Sequence, residues 1–405
     1  MNILIAWRNI GRNKKRSLIT ISSVILAVVL SVFTRSFQEG SYSKMIENAV
    51  GKFTGYVQVH QKEYWADKML DNGIEVNDKL INDILSTKGV EGLNMRLESF
   101  SLAAFGNSTK GTLIMGIDPV KEESMLDLKS KLIKGEYINS DDQSILIGSK
   151  LSEYLKLSVG DTLVLLGQGH WGQSAVGAYP IKGIVKMPAP DIDRQIVFMP
   201  LKLSQEYFSF NNGITSIVVK FKDSDYTQTI CDELNAKLDT TQHTAMTWQK
   251  MSPEMVQVIQ SDRVGGILMI AILYMIIAFG IFGTVLMMTE ERKKEFSVMI
   301  AIGMQKSKLV LITLYETVLM NALGIAIGIA LALPLVIYFN INPIEMTGAE
   351  AESIEKLGVE PVLPTLISAK IFINQIIIIL IITAVAAIYP AFAILKMKVL
   401  KSLRH

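Results

Sequence analysis

The chain has 405 residues, half of them apolar, with 40 Lys and Arg against 38 Asp and Glu, and one cysteine, Cys231. One cysteine excludes an intramolecular disulfide framework, and Cys231 is expected to pack as a small hydrophobe in or near a helix. Four scattered histidines show no metal-ligand spacing, and the near-neutral total gives no bulk positive charge for holding nucleic acid.

Residues 1–16 form a lead with five bases and no acid: Arg8, Arg12, Lys14, Lys15 and Arg16. The uncharged run Ser17 to Thr34 follows, closed by Arg35. It is longer than a signal-peptide core and no small-x-small cleavage site succeeds it, so 17–35 is expected to be a retained transmembrane helix. Residues 36–263 then offer enough chain for a sizeable core or two subdomains. Ser36 to Glu47 and Ser252 to Arg263 are expected to be helical, extending the first two membrane helices as a stalk.

Within this domain the expected strands are Gly55 to His60, Thr112 to Ile117, Ser144 to Ile147, Asp161 to Leu165, Ile181 to Val185, Gln195 to Met199 and Ser216 to Phe221. Helices are expected at Asn77 to Ser86, Ser149 to Lys156 and Asp225 to Leu238. Turns are expected at Gly116-Ile117-Asp118-Pro119 and Val159-Gly160-Asp161. The stretch Gly167 to Gly177, with His170 and Trp171, is either an exposed hairpin loop or a flexible turn with one packed tryptophan. Trp171, Pro188 and Pro190 are the candidate contacts for a substrate or partner. Isolated Ser, His and Asp residues form no triad, so no catalytic residue is assigned.

Three further apolar blocks follow at 264–289, 309–339 and 371–395, each long enough to cross about 30 Å of hydrocarbon. Glu316 alone interrupts the second, which is expected as one tilted helix or a helix bent near Pro334. A carboxylate at that depth requires a partner or an interface, and an anchor is preferred to a proton relay. Gly324 and Gly328, four apart like Ala322, Ala326 and Ala330, allow close helix packing, within the chain or in a dimer. Between the blocks lies 290–308, in which Phe296, Met299 and Ile300 repeat at helical spacing and Gly303 ends the short helix. An amphipathic helix beneath the bilayer offers a motor protein a grip; a solvated loop is the plainer reading.

Residues 1–16, 290–308 and 396–405 carry 14 basic and 3 acidic residues, leaving 26 and 35 elsewhere. The positive-inside bias then puts both termini and 290–308 in the cytoplasm, with 36–263 and the short 340–370 loop outside. The expected fold class is a four-helix membrane protein with a large α+β extracytoplasmic domain.

This layout resembles the MacB/FtsX-like permease superfamily, most of all the lipoprotein-releasing permeases of the LolC/LolE kind. The resemblance rests on Ala6-Trp7-Arg8-Asn9-Ile10, on Glu291-Arg292-Lys293-Lys294-Glu295-Phe296 with Ala301-Ile302-Gly303-Met304, and on Tyr389-Pro390-Ala391. In the domain it rests on Gly116-Ile117-Asp118-Pro119, Leu157 to Thr162, Gly183-Ile184-Val185 with Asp193, and Val197-Phe198-Met199-Pro200. Ile300-Ala301 lacks the arginine that many members carry, which leaves the ATPase unidentified. The resemblance implies a non-catalytic subunit of a type VII ABC machine in the bacterial inner membrane. A cytoplasmic ATPase dimer would bind ATP and Mg and be coupled to the membrane helices through the segment carrying Glu291, Arg292, Glu295, Phe296, Met299 and Gly303. Glu316, Gly324 and Gly328 would pack the membrane helices, beside membrane lipid and a second permease subunit, identical or homologous. The implied cargo is a lipoprotein handed to a periplasmic carrier. The chain contains no GxxxxGK[ST] phosphate loop. Alternatives are mechanotransmission to a cell-wall hydrolase or efflux adaptor, a sensor or structural protein without an ATPase, and a membrane enzyme with an external site.

Overall fold

The computed structural model describes residues 2–12, 14–348, 351 and 362–397. Residues 349–350 and 352–361 of the 340–370 loop and the basic tail beyond Met397 lie outside them. The chain divides into two compact units. One holds the long apolar helices and the other spans Lys44–Val258.

Helix α1 (Asn2–Arg12) precedes α2 (Lys14–Ile46), whose 33 residues exceed the roughly 20 that cross a bilayer. The backbone then widens into a π-helical segment, Glu47–Thr54, closed by Gly55 N–H donating to Val50 O five residues back. Gly55 has φ of +86°, and a Cβ there would meet Val218 Cγ1 at 2.4 Å, so only glycine fits this exit.

The domain continues through β1 (Val57–Gln61), β2 (Ile74–Glu75), α3 (Asp78–Leu85), β3 (Val90–Phe105), β4 (Ser108–Ile117), α4 (Pro119–Leu126) and β5 (Leu132–Gly135). Next come β6 (Ile145–Gly148), α5 (Ser149–Leu155), β7 (Thr162–Gln168), β8 (Ser174–Val185), α6 (Pro190–Asp193) and β9 (Ile196–Pro200). It ends with α7 (Leu201–Tyr207), β10 (Gly213–Ile214), β11 (Ser216–Phe221), α8 (Thr227–Lys237), β12 (His243–Thr247) and α9 (Trp248–Met251).

Strand β3, 16 residues long, is the spine. Its first half pairs antiparallel with β11, which continues to β1 and β12. Its second half pairs with β4 on one side and β7 on the other. From β4 the ladder runs through β9, β6 and β8 and returns through β7 to β3, a closed ring of six strands. Leu97, Ile114, Ile147, Leu163, Leu165 and Val197 belong to its buried apolar core. A second core gathers Val57, Val59, Ile217 and Val219 of the other strands under α3 and α8. Cys231 is in this layer, buried in α8, with Sγ 3.3 Å from Ala245 O.

Two sequence motifs acquire a mechanical cause. In Gly116-Ile117-Asp118-Pro119 a Cβ on Gly116 would collide with Ser204 Oγ of α7 at 1.8 Å. Asp118 accepts the Val120 and Lys121 N–H groups, and Pro119 opens α4. The segment is therefore a strand end, as its turn signal implied, joined directly to a helix cap. Gly160 turns at φ +92°, and Asp161 accepts the Ser158 N–H.

The membrane unit contains α10 (Pro253–Glu291) from Ile259 onward, α11 (Lys293–Ala301), α12 (Lys306–Ile341), α13 (Ala369–Ala386) and α14 (Ile388–Leu395), with a two-residue ribbon pairing Ile344–Glu345 to Val362–Leu363. Among the described residues, four stretches are long and apolar enough to span a membrane: Ser17–Thr54, Pro253–Glu291, Lys306–Ile341 and Ala369–Leu395. Pro334 leaves α12 unbroken. The last block instead pauses at Ala387, where Pro390 cannot donate to the carbonyl of Ala386. Helices α2 and α12 meet at glycines. A Cβ would come 2.8 Å from Val24 Cβ at Gly324 and 2.7 Å from Val28 Cβ at Gly328. Ala322, Ala326 and Ala330 lie on the exposed face of the same helix.

Candidate functional site

The charged turn between α10 and α12 is built around a buried ion pair. Arg292 Nη1 donates to Glu316 Oε2 at 2.6 Å, and both side chains are almost fully enclosed. Two charges removed from water persist only when paired at close range, so the seven-residue depth of Glu316 inside an apolar block is explained by its partner. The Arg292 guanidinium also lies 4.9 Å over the Phe296 ring, and its Nε reaches Glu295 at 3.4 Å. Glu295 accepts from Arg12 at 3.0 Å, which ties α1 to α11.

Around this pair the segment is clamped at both ends. Glu290 pairs with Lys293 at 2.5 Å and accepts from the Tyr389 hydroxyl at 2.9 Å. Lys306 Nζ donates to the carbonyls of Leu395 and Met397 at 3.0 and 2.8 Å, where α14 ends and its last carbonyls lack helical partners. Phe296 packs in one apolar cluster with Leu309, Ile394 and Met397. Gly303 takes φ +101° and donates to Ile300 O while Met304 donates to Met299 O, a left-handed cap that turns the chain into α12.

Of the residues read as coupling to an ATPase, Arg292 and Phe296 are buried within their own unit and position the segment from behind. Met299 is half-buried. The face left outward consists of Glu291, Lys294, Val298, Ala301, Ile302 and Gly303, with Ile302 81% exposed. The apolar spacing of Phe296, Met299 and Ile300 traced the buried face; Val298 and Ile302 fall out of that phase and could have been found by the mismatch.

In the external domain, the Gly167–Gly177 stretch is the β7–β8 hairpin, and its tip is pinned. His170 stacks on Phe210 at 4.1 Å and donates its N–H to Phe208 O, while the Trp171 N–H donates to Asp71 at 2.7 Å. Trp171 sits at φ +53°, a conformation costly for a bulky residue, and its side chain is 73% exposed. The alternative of a packed tryptophan is thereby excluded. Pro190 is buried as the first residue of α6 and is no surface contact. Pro188 lines a cleft with residues of the π-helical segment, and Trp171 is not among its walls.

Among the described residues, four apolar helices of spanning length, with an α+β domain inserted in the sequence between the first two, define a membrane protein. The family profile described as MacB-like periplasmic core domain matches residues 17–237, and that described as FtsX-like permease C-terminal matches residues 267–399. The chain belongs to this MacB/FtsX-like permease superfamily, and its inserted domain is extracytoplasmic. It is similar to the lipoprotein-releasing system transmembrane protein LolC of Xylella fastidiosa, 23% identical over 253 residues, 59% of each chain. It is also similar to the macrolide export ATP-binding/permease protein MacB of Mannheimia succiniciproducens, 24% identical over 355 residues, 83% of this chain and 53% of that one. The chain thus spans between half and two thirds of the length of the curated relatives it matches. Among solved structures, the periplasmic region of MacB from Actinobacillus actinomycetemcomitans aligns at 15% identity and TM-score 0.36, covering 54% of this chain and 98% of that one. The extracellular domain of the noncanonic ABC-type transporter YknZ from Gram-positive bacteria aligns at 15% identity and TM-score 0.33, covering 48% and 100%.

Proposed function

We propose that the chain is the membrane subunit of an ABC machine, in which separate cytoplasmic ATPase subunits bind ATP and Mg and drive release of a lipoprotein from the inner membrane to a periplasmic carrier. The observation that carries the coupling half of this reading is α11. It is a short helix held rigidly from behind by the Arg292–Glu316 pair and presents Val298, Ala301 and Ile302 outward. Solvent-facing apolar side chains on a clamped helix between charged neighbours have the character of a docking surface. The basic excess of residues 1–16, 290–308 and 396–405 supports a cytoplasmic position for this surface and for both termini. The lipoprotein half rests on the likeness to LolC. Export or mechanotransmission to an efflux adaptor or wall hydrolase is the second reading, favoured by the longer match to MacB.

Mass spectrometry of complexes purified from the native membrane in a lipid-like environment, with acylated peptides in the search, separates the two. An ATPase with acylated lipoproteins supports release; an ATPase with an adaptor or hydrolase and no lipoprotein supports the second reading. Ile302→Glu is expected to cut ATPase co-purification by about tenfold or more while the chain remains inserted. Unchanged recovery of the ATPase would remove α11 as the docking surface.

A further inference from the structure

The external domain contains a second built site, away from the hairpin. A cleft of about 270 Å³ opens between the π-helical segment 47–54 and the loop joining β8 to β9. Its walls are mainly apolar: Phe53 from the first side, Met187 and Ile192 from the second, and Met255 from the start of α10. Both main walls are fixed. Arg96, buried and bonded through Nε and Nη2 to Glu122, donates through Nη1 to Phe53 O at 2.6 Å. On the opposite wall the buried Asp193 carboxylate accepts from the Met187, Ser149 and Lys150 N–H groups and from the Ser149 hydroxyl. The cleft is therefore preformed, which lowers the ordering cost of a ligand.

Asn48 lines this cleft and is only 6% exposed. Among the described residues neither its Nδ2 nor its Oδ1 has a hydrogen-bond partner. Buried polar atoms are paired in nearly all native structures, and π-helical turns such as the one carrying Asn48 concentrate at functional sites. A primary amide supplies a donor and an acceptor. A peptide group returns both at once, whereas an acyl chain returns neither and a phosphate uses only the donor. Lys52, 3.9 Å from Glu47 Oε1, stands on the rim with Asp191 and with Lys131, whose Nζ donates to Leu126 O.

We propose that this cleft binds an extended peptide segment of an extracytoplasmic partner. The segment's backbone amide pairs with Asn48, an apolar side chain lies among Phe53, Met187 and Ile192, and an adjacent carboxylate faces Lys52. The test uses the full chain in lipid nanodiscs and a fluorescein-labelled acetyl-Gly-Leu-Glu-Gly-amide probe, read by polarisation. Saturable binding is expected, weakened about tenfold by Asn48→Leu and by an ester in place of the probe's Leu–Glu amide. Lys52→Gln should weaken it and flatten its salt dependence. Ile192→Trp fills the cleft from the other wall and should abolish it, an arm that stands even if Asn48→Leu misfolds. No binding by the unaltered chain at millimolar probe, equal binding by Asn48→Leu or Ile192→Trp, or displacement of the probe by dodecanoate with no ester penalty would each overturn the peptide assignment. The last of these would mark an acyl-chain pocket.

Discussion

His60 is 1% exposed on β1, stacked on Tyr64 and beside the tilted Trp65 ring, with Nδ1 3.1 Å from Thr215 O. Burial, reinforced by Lys68 and opposed by the Thr215 carbonyl, pushes its pKa down to about 4. The folded state therefore keeps the imidazole neutral where the unfolded chain would protonate it. This contribution to stability is complete above pH 6.5 and is lost as pH falls to about 4, amounting to ~3 kcal/mol. The unfolding free energy of the full chain is expected to approach that of His60→Gln as pH drops from 7 to 4. A difference that stays flat over that range would show that His60 does not resist protonation. The same accounting explains what sequence could not reveal about Arg292. It looked like one of several surface bases in a charged run, and only the fold brings it to Glu316, 24 positions along the chain. Glu316 itself was legible, because an acid inside an apolar block demands a partner.

At the scale of elements, long apolar runs and capping signals were legible and long-range pairing was not. Asn77 caps α3 through Leu80 N–H, and Lys156 ends α5 in a left-handed turn, close to where sequence placed those helix ends. Strand β3 escaped notice because it changes surroundings midway. One half buries Leu93 in the core beneath α3, and the other buries Leu97 and Ala103 in the ring, so no single alternation runs through it. Strand β12 escaped because its sequence, His243 to Thr247, is mostly polar. For the membrane helices, the glycines divide the two explanations left open by spacing. Gly324 and Gly328 pack inside the chain, and the alanines do not. Gly328→Leu is expected to destabilise the purified chain by about 1–3 kcal/mol through overpacking against Val28, while Ala326→Leu changes it by under about 0.5 kcal/mol. Denaturation in mixed micelles measures both. Equal losses would mean that α2 and α12 do not meet at that face.

For the whole molecule, charge distribution carries more information than net charge. The three basic stretches hold 14 bases and 3 acids, and the remainder of the chain is net acidic. Insertion with both ends on one side predicts that a single cysteine at Ile302, in a Cys231→Ala background, reacts with a membrane-impermeant maleimide only after the membrane is opened. A cysteine at Trp171 should react in intact spheroplasts. Labelling of both before opening would reverse the orientation of α11 and detach it from any cytoplasmic ATPase.

The closed ring formed by β3, β4, β9, β6, β8 and β7 has a further consequence. A sheet with open edges recruits other chains by backbone pairing, with little regard for their side chains. A ring consumes its own edges. Among the described strands of the large sheet, only β12 and β5 end the hydrogen-bonded path, and β5 is four residues long. Strand exchange between neighbouring copies is thereby confined to the periphery. Backbone pairing is thus closed to the ring, which leaves side chains and clefts as the means by which it could recognise another chain.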